Sequence, residues 1–199
     1  MGRRSHRDRR PSRARVIGRT LPCMGVLIRP AALTDLRDLR ALRLDALGDS
    51  PEAFGSTLQR EAHADDSSWR GWILGEGWDG AVTTFVADAG HQLVGMATGY
   101  HPDDDPDIVH LFAMWVRPDR RHQGIGRQLV AAVVDWAADR PGVDRVLLRV
   151  TTTNESAARF YAVCGFEAIP DPPEPLREGS ALSTTTMWRG LASDVDPST

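Results

Sequence analysis

The chain has 199 residues, 41% of them hydrophobic, and a formal charge of −3, which fits one domain of ordinary size with enough apolar material for a core. No apolar run approaches the roughly 18 residues that a membrane-spanning helix needs, so a soluble, cytoplasmic protein is expected. Cys23 and Cys164 form no CxxC pair and the six His lack metal-ligand spacing, so reduced thiols are expected, and neither a disulfide scaffold nor a metal site.

All 24 basic residues are Arg, and they are unevenly spread. Residues 1–23 hold eight Arg and one Asp, a formal +7, which leaves −10 for residues 24–199 once the whole-chain −3 is accounted for. Rich in Arg, Ser and Pro and without apolar periodicity, this first segment reads as a disordered tail. It is no secretory signal, because no apolar stretch follows the basic residues. Translation beginning at Met24 is a further reading, and an arm for nucleic acid the minor one.

Val26–Pro30 reads as a first strand. Thr34 and Asp35 can cap a helix with Leu36, Leu39, Leu42, Leu44 and Leu47 at helical spacing, ended by Gly48 and Pro51. Asp49–Gly55 is a loop or short turn, and Asp66–Leu74 a second helical region with Trp69, Trp72 and Ile73 on its apolar side. Val82–Asp88 and Leu93–Tyr100 form a hairpin, and His101–Asp107 is a charged, Pro-interrupted loop. Ile108–Val116 is the most strand-like run. Gly126–Asp139 is a strong amphipathic helix, Asp144–Val150 a strand, and Glu155–Cys164 a helix halted by Gly165. Phe166–Ala168, a Pro-rich loop at 170–175 and the strand Thr184–Arg189 complete the domain, 24–190, before a fraying tail at 191–199.

The chemistry concentrates in Met114–Leu129, MWVRPDRRHQGIGRQL. A buried strand ends at Val116, an Arg- and Gly-rich turn follows, and a helix begins. Gly124 and Gly126 let backbone N–H groups approach an anion closely. Those groups lie at a helix N-terminus, where the dipole adds attraction, and Arg120, Arg121 and Arg127 add charge. The pattern is a phosphate cradle. It is no P-loop, because both the Lys and the GxxxxGK[ST] spacing are missing. Nor is it a dinucleotide fingerprint, because Leu129 stands at the third Gly position and the strand comes fourth.

The run Arg121-His122-Gln123-Gly124-Ile125-Gly126 resembles the acyl-CoA pyrophosphate motif of the GNAT superfamily of N-acetyltransferases. Thr153–Phe166 (TNESAARFYAVCGF) is similar to that family's Asn-x-x-Ala-x-x-Phe-Tyr-x-x-x-Gly-Phe segment. The opening Ile-Arg-Pro strand, followed by Asp-Leu and a helix, also matches, so the likeness covers residues 26–189. It implies an α/β (α+β) fold: a mixed, mostly antiparallel sheet of about six to seven strands, flanked by helices and splayed between the fourth and fifth.

The resemblance further implies acetyl-CoA as co-substrate, without a metal, and direct transfer of acetyl to an amine. Backbone of Met114, Trp115 and Val116 would bind the pantetheine arm like an added strand. The segment Arg121, His122, Gln123, Gly124, Ile125, Gly126, with Arg127 beside it, would hold the pyrophosphate. Asn154 would bond the pantetheine; read alone, it is an N-cap before Glu155. An alkylammonium with a pKa near 10 must lose a proton before it attacks, and a backbone N–H can polarise the thioester carbonyl. Tyr161 stands where the family places the acid for the leaving thiolate; packing is its other reading. His110 stands where histone-type members carry a catalytic Glu and is the candidate base, or else a partner of the acidic loop at 103–107.

Trp69, Trp72 and Trp78 are core or acceptor-pocket residues, with Glu52 and Phe54 as further candidates, and Cys164 is packing. The expected acceptor is a small-molecule primary amine. A protein N-terminal or lysine acetyltransferase and a non-catalytic acyl-CoA-binding module are the alternatives, and a homodimer is left open.

Overall fold

Among the described residues, eight strands build a single sheet in the order β1-β2-β3-β4-β5-β8-β6, with β7 also on β8. In chain order they are β1 (Leu27–Pro30), β2 (Gly80–Asp88), β3 (Leu93–Pro102), β4 (Ile108–Val116), β5 (Arg145–Thr151), β6 (Glu167–Ala168), β7 (Glu174–Pro175) and β8 (Ser183–Gly190). The helices are α1 (Leu36–Asp49), α2 (Leu58–Ala62), α3 (Asp66–Leu74), α4 (Ile125–Ala138) and α5 (Glu155–Val163). This computed structural model describes residues 25–191. The Arg-rich tail, Cys23, Met24 and residues from 192 onward lie outside the described residues.

Every strand pair is antiparallel except β4–β5. The sheet is covered on both faces, which is why β3 reads as a nearly unbroken apolar run. On one face Val94, Val109, Leu111 and Val146 pack with Leu129, Val133 and Tyr161 of α4 and α5. On the other, Val86, Met96 and Trp115 pack with Leu39, Leu42 and Leu47 of α1.

Two features of β4 shape the site. Met96 pairs with Trp115 and Thr98 with Phe112, so β4 carries one residue more than β3 across this stretch. The extra residue is a β-bulge, with Ala113 at φ 52, and a bulge bends its strand away from the ladder. On the other edge, β4 and β5 pair only at Ile108–Arg145, Val109–Val146 and His110–Leu147. The expected opening between the fourth and fifth strands thus begins after three residue pairs.

Several boundaries depart from expectation. The first helix runs through Gly48 to Asp49 and stops before Pro51, which disfavours helix at the preceding residue and has no N–H to donate. Asp35 does not cap it. Its carboxylate accepts from the Ala32 N–H at 2.7 Å and pairs with Arg29 at 2.6 Å. The short α2, held by Thr57 accepting from the Arg60 N–H, falls in a stretch without an expected element. The third strand continues through His101 and Pro102, which pair with Ala81 and Gly80, so the acidic loop is shorter than expected. Glu174–Pro175, inside the expected Pro-rich loop, pairs with Thr184 and Ser183.

Candidate active site

The splay between β4 and β5 opens into a cavity of about 1320 Å³, larger than the roughly 300–1,000 Å³ of a typical small-molecule pocket. Beyond His110 the β5-facing edge of β4 has no ladder partner, so its N–H and C=O groups are available to an extended ligand. Met114, Trp115 and Val116 all line the cavity. The Trp115 side chain itself turns into the core beneath α1, where its Nε1–H donates to Asp49 at 3.0 Å.

At the open end of β4 the chain turns into α4. His122 (φ 62) and Gly124 (φ 78) are both left-handed, a geometry that folds successive N–H groups into an anion-binding nest at a helix N-terminus. No side chain caps α4. A Cβ added at Gly126 would lie 2.8 Å from Met114 Cε and 3.2 Å from Phe160 Cζ, so glycine there lets α4 start tight against β4 and α5. The turn therefore presents backbone N–H groups, with no side-chain cap, at the start of α4, a lining compatible with a diphosphate.

The side chains of the turn divide their tasks. Arg121 donates to Asp49 at 2.5 Å and to the Val116 carbonyl at 3.0 Å, pinning the turn to the end of α1. Gln123 donates to the Asp119 carbonyl at 3.3 Å and, alone among the residues expected to bind acetyl-CoA, does not line the cavity. Arg127 borders it with His122, Gly124, Ile125 and Gly126.

Tyr161, on α5, is 9% exposed and packs edge-on against Phe160 and Phe166. Burial pushes its hydroxyl far above the usual phenol value, so it holds its proton at neutral pH and has one to donate. Asn154 accepts from the Ala157 N–H at 3.0 Å, the N-cap read from sequence. It also lines the cavity, and among the described residues its amide N–H₂ has no acceptor.

His110 is half-buried on β4, with its ring 6.2 Å from that of Tyr100. Burial lowers its pKa and the charge of Asp105 partly opposes this, so the imidazole is neutral at pH 7. Among the described residues no hydrogen bond or ion pair joins it to the acidic loop. The Tyr100 hydroxyl donates to Asp79 at 2.5 Å, and this bond raises its pKa to about 12.

Phe112, Tyr100 and Arg43, which were not foreseen, join the candidates Trp72, Trp78 and Phe54 in the far wall. Phe112 shares the face of β4 with His110 and meets Trp72 at 5.8 Å and Trp78 at 5.7 Å. Trp78, which lies beyond the end of α3, and Phe54 also line the cavity, whereas Glu52 does not and Trp69 is core. Arg43 of α1 is buried, bonded to Glu61, and lines the cavity beside Phe54 and Trp72. Its signal was in the sequence: Arg43 falls on the same stripe as Leu39, Ala46 and Leu47, where a charge is out of place.

A model of the acetyltransferase (GNAT) family matches residues 44–166. The mycothiol acetyltransferase of Rhodococcus jostii is 34% identical over 130 residues, 60% of this chain and 42% of that one. A methionine sulfoximine and methionine sulfone acetyltransferase of Pseudomonas paraeruginosa is 23% identical over 84% of this chain and 96% of that one. Among solved structures, yncA of Salmonella typhimurium with its cofactor acetyl-CoA superposes with a TM-score of 0.68 at 18% identity, covering 86% and 97%. The chain spans 42%, 37% and 38% of the first curated relatives it matches. No helix among the described residues is long and apolar enough to cross a membrane.

Proposed function

The chain belongs to the acetyltransferase (GNAT) family, and from that premise we propose that it transfers acetyl from acetyl-CoA to the primary amine of a small molecule, directly within a ternary complex. The observation that carries this reading is the meeting of two backbone sites: the unpaired edge of β4 and the left-handed His122–Gly124 turn at the start of α4. The first suits the amide groups of a pantetheine arm and the second a diphosphate. Acetyl-CoA supplies a thioester and, once the acetyl has moved, a thiolate to be protonated.

The protein's own groups supply the rest. N–H groups at the β4 bulge would polarise the acyl carbonyl. Neutral His110 would take a proton from the incoming ammonium, directly or through water. Tyr161, which keeps its proton, would give it to the departing sulfur. Cys164 is buried and its thiol pKa is raised by that burial, so it stays protonated and is a poor nucleophile. This supports direct transfer over an acyl-enzyme.

The aromatic lining of the far wall supports a small acceptor with an apolar body. The names of the relatives point the same way, because mycothiol, methionine sulfoximine and methionine sulfone are small molecules. Calorimetry with acetyl-CoA, followed by thiol-release assays over a panel of primary amines, tests the reading. Saturable binding with acceptor-dependent thiol release is expected. Binding without turnover on any acceptor would leave a non-catalytic module.

A further inference from the structure

Resting on the acetyltransferase reading, we propose that the acceptor is an amino acid, a primary amine that also carries a carboxylate on an apolar body, and that Arg43 receives the carboxylate. The Arg43 side chain is 5% exposed. Its Nε and Nη2 donate to the two oxygens of Glu61 at 2.9 and 2.8 Å. That bidentate pair occupies one edge of the guanidinium plane and neutralises its charge. Nη1, on the opposite edge, is buried and has no hydrogen-bond partner among the described residues. Two N–H donors left unmet in a low-dielectric site are costly, and the residue that bears them lines the cavity. A ligand oxygen would remove that cost, and a carboxylate does so with a charge-assisted bond.

The surroundings hold the fork in place. Phe54 and Trp72 lie against the guanidinium with ring centroids 4.5 and 5.1 Å from Cζ. The plane is thus fixed before a ligand arrives, which limits the entropy lost on binding. From Trp72 an unbroken aromatic chain runs through Phe112 and Trp78 to Tyr100 and His110, with successive centroids 5.1 to 6.2 Å apart. This wall joins the carboxylate anchor to the candidate base and suits an apolar body between the two charged ends of the acceptor. A polyamine would bring only further donors to Nη1, itself a donor, and a diffuse hydrophobic amine would leave Nη1 unmet.

The test compares acids with their decarboxylated counterparts: L-phenylalanine with phenethylamine, 4-aminobutyrate with propylamine, and 6-aminohexanoate with pentylamine. In at least one pair the acid should have the higher kcat/KM by about tenfold or more, the value of a hydrogen bond to a charged group. Arg43→Gln should collapse that acid-to-amine ratio about tenfold, and Arg43→Lys should restore part of it. Because Arg43→Gln strands Glu61 and can unfold the chain, calorimetry of the same pairs on the wild-type protein saturated with CoA gives an independent readout. There the acid should bind about tenfold more tightly. Ratios near one in every pair, or a ratio that survives Arg43→Gln, would overturn the proposal while leaving the acetyltransferase reading standing. Absence of thiol release with any amine or acid would overturn both.

Discussion

At the scale of single residues, Tyr161 and His110 are set apart by what burial does to each. Burial raises the phenol of Tyr161 and lowers the imidazole of His110, so at pH 7 one holds a proton and the other lacks one, the pairing that acid and base roles require. Tyr161→Phe keeps the ring among Phe160 and Phe166 and removes only the hydroxyl. We expect kcat to fall about 100-fold with a melting temperature near wild type; a comparable loss of stability would mark the residue as packing alone. For His110 the sign follows from the lowered pKa. The base form persists from neutral pH downward until the pH falls below the group's ordinary value near 6.5, so kcat/KM should drop on the acid side in a limb absent from His110→Ala. The same shift makes the fold lose stability as pH falls through 6.5, because the unfolded chain binds the proton first. A pH profile of wild type and variant, paired with denaturant melts at pH 5 and 7.5, separates the two effects.

At the scale of elements, the turn from β4 into α4 depends on backbone shape and on one carboxylate. Asp49, the last residue of α1, accepts from Ser50, Trp115 and Arg121, and these bonds hold its pKa below the usual carboxylate range. Asp49→Ala would strand the Trp115 indole N–H in the core and release Arg121 from α1. A loss of about 1–3 kcal/mol of stability is expected, with an acetyl-CoA Kd raised several-fold by calorimetry. Gly124→Ala tests the backbone itself. A left-handed alanine costs about 1–2 kcal/mol, and either the turn bears that strain or the nest opens and acetyl-CoA binding weakens. These elements also mark what the sequence could disclose. The β4–turn–α4 unit was legible because apolar runs, Gly spacing and a helix stripe are local signals, and the Asn154 cap was legible for the same reason. The Asp49–Arg121 clamp spans 72 positions and left no local trace. The role of Gly99 was equally hidden. A Cβ there would meet the Trp136 ring at 2.8 Å, a constraint that exists only once α4 lies across β3. Trp72, Trp78 and His110 were candidates in the sequence, but their union with Tyr100 and Phe112 in one wall was hidden, because these members come from three separate stretches that only the sheet order brings together.

At the scale of the whole molecule, the sheet separates two hydrophobic clusters and narrows to one short seam in its interior. Strands β1 to β4 are joined by antiparallel ladders of four to nine residue pairs and β5 pairs with β8 over seven, but among the described residues the two groups share only the three residue pairs of β4 with β5. Helix α4 spans this seam, and its Leu129, fully buried, packs against the sheet beside it; Leu129→Ala should cost about 2–5 kcal/mol. If the pantetheine arm bonds to the free edge of β4, a bound acetyl-CoA lies along the seam and lends backbone bonds where the protein has none. Binding only the folded state at 100 times its Kd adds about 2.7 kcal/mol, and that gain should be distributed unevenly. Hydrogen exchange should slow at residues 111–116 and 122–127 on addition of acetyl-CoA and stay unchanged in β1 and β2, which lie two or more strands away. Uniform protection across the sheet would place the coenzyme's effect in global stability alone, and protection confined to α4 would move it out of the splay. Slowing at the β4 edge and the turn together is the pattern that only an extended ligand in the seam, with its anion at the α4 N-terminus, produces.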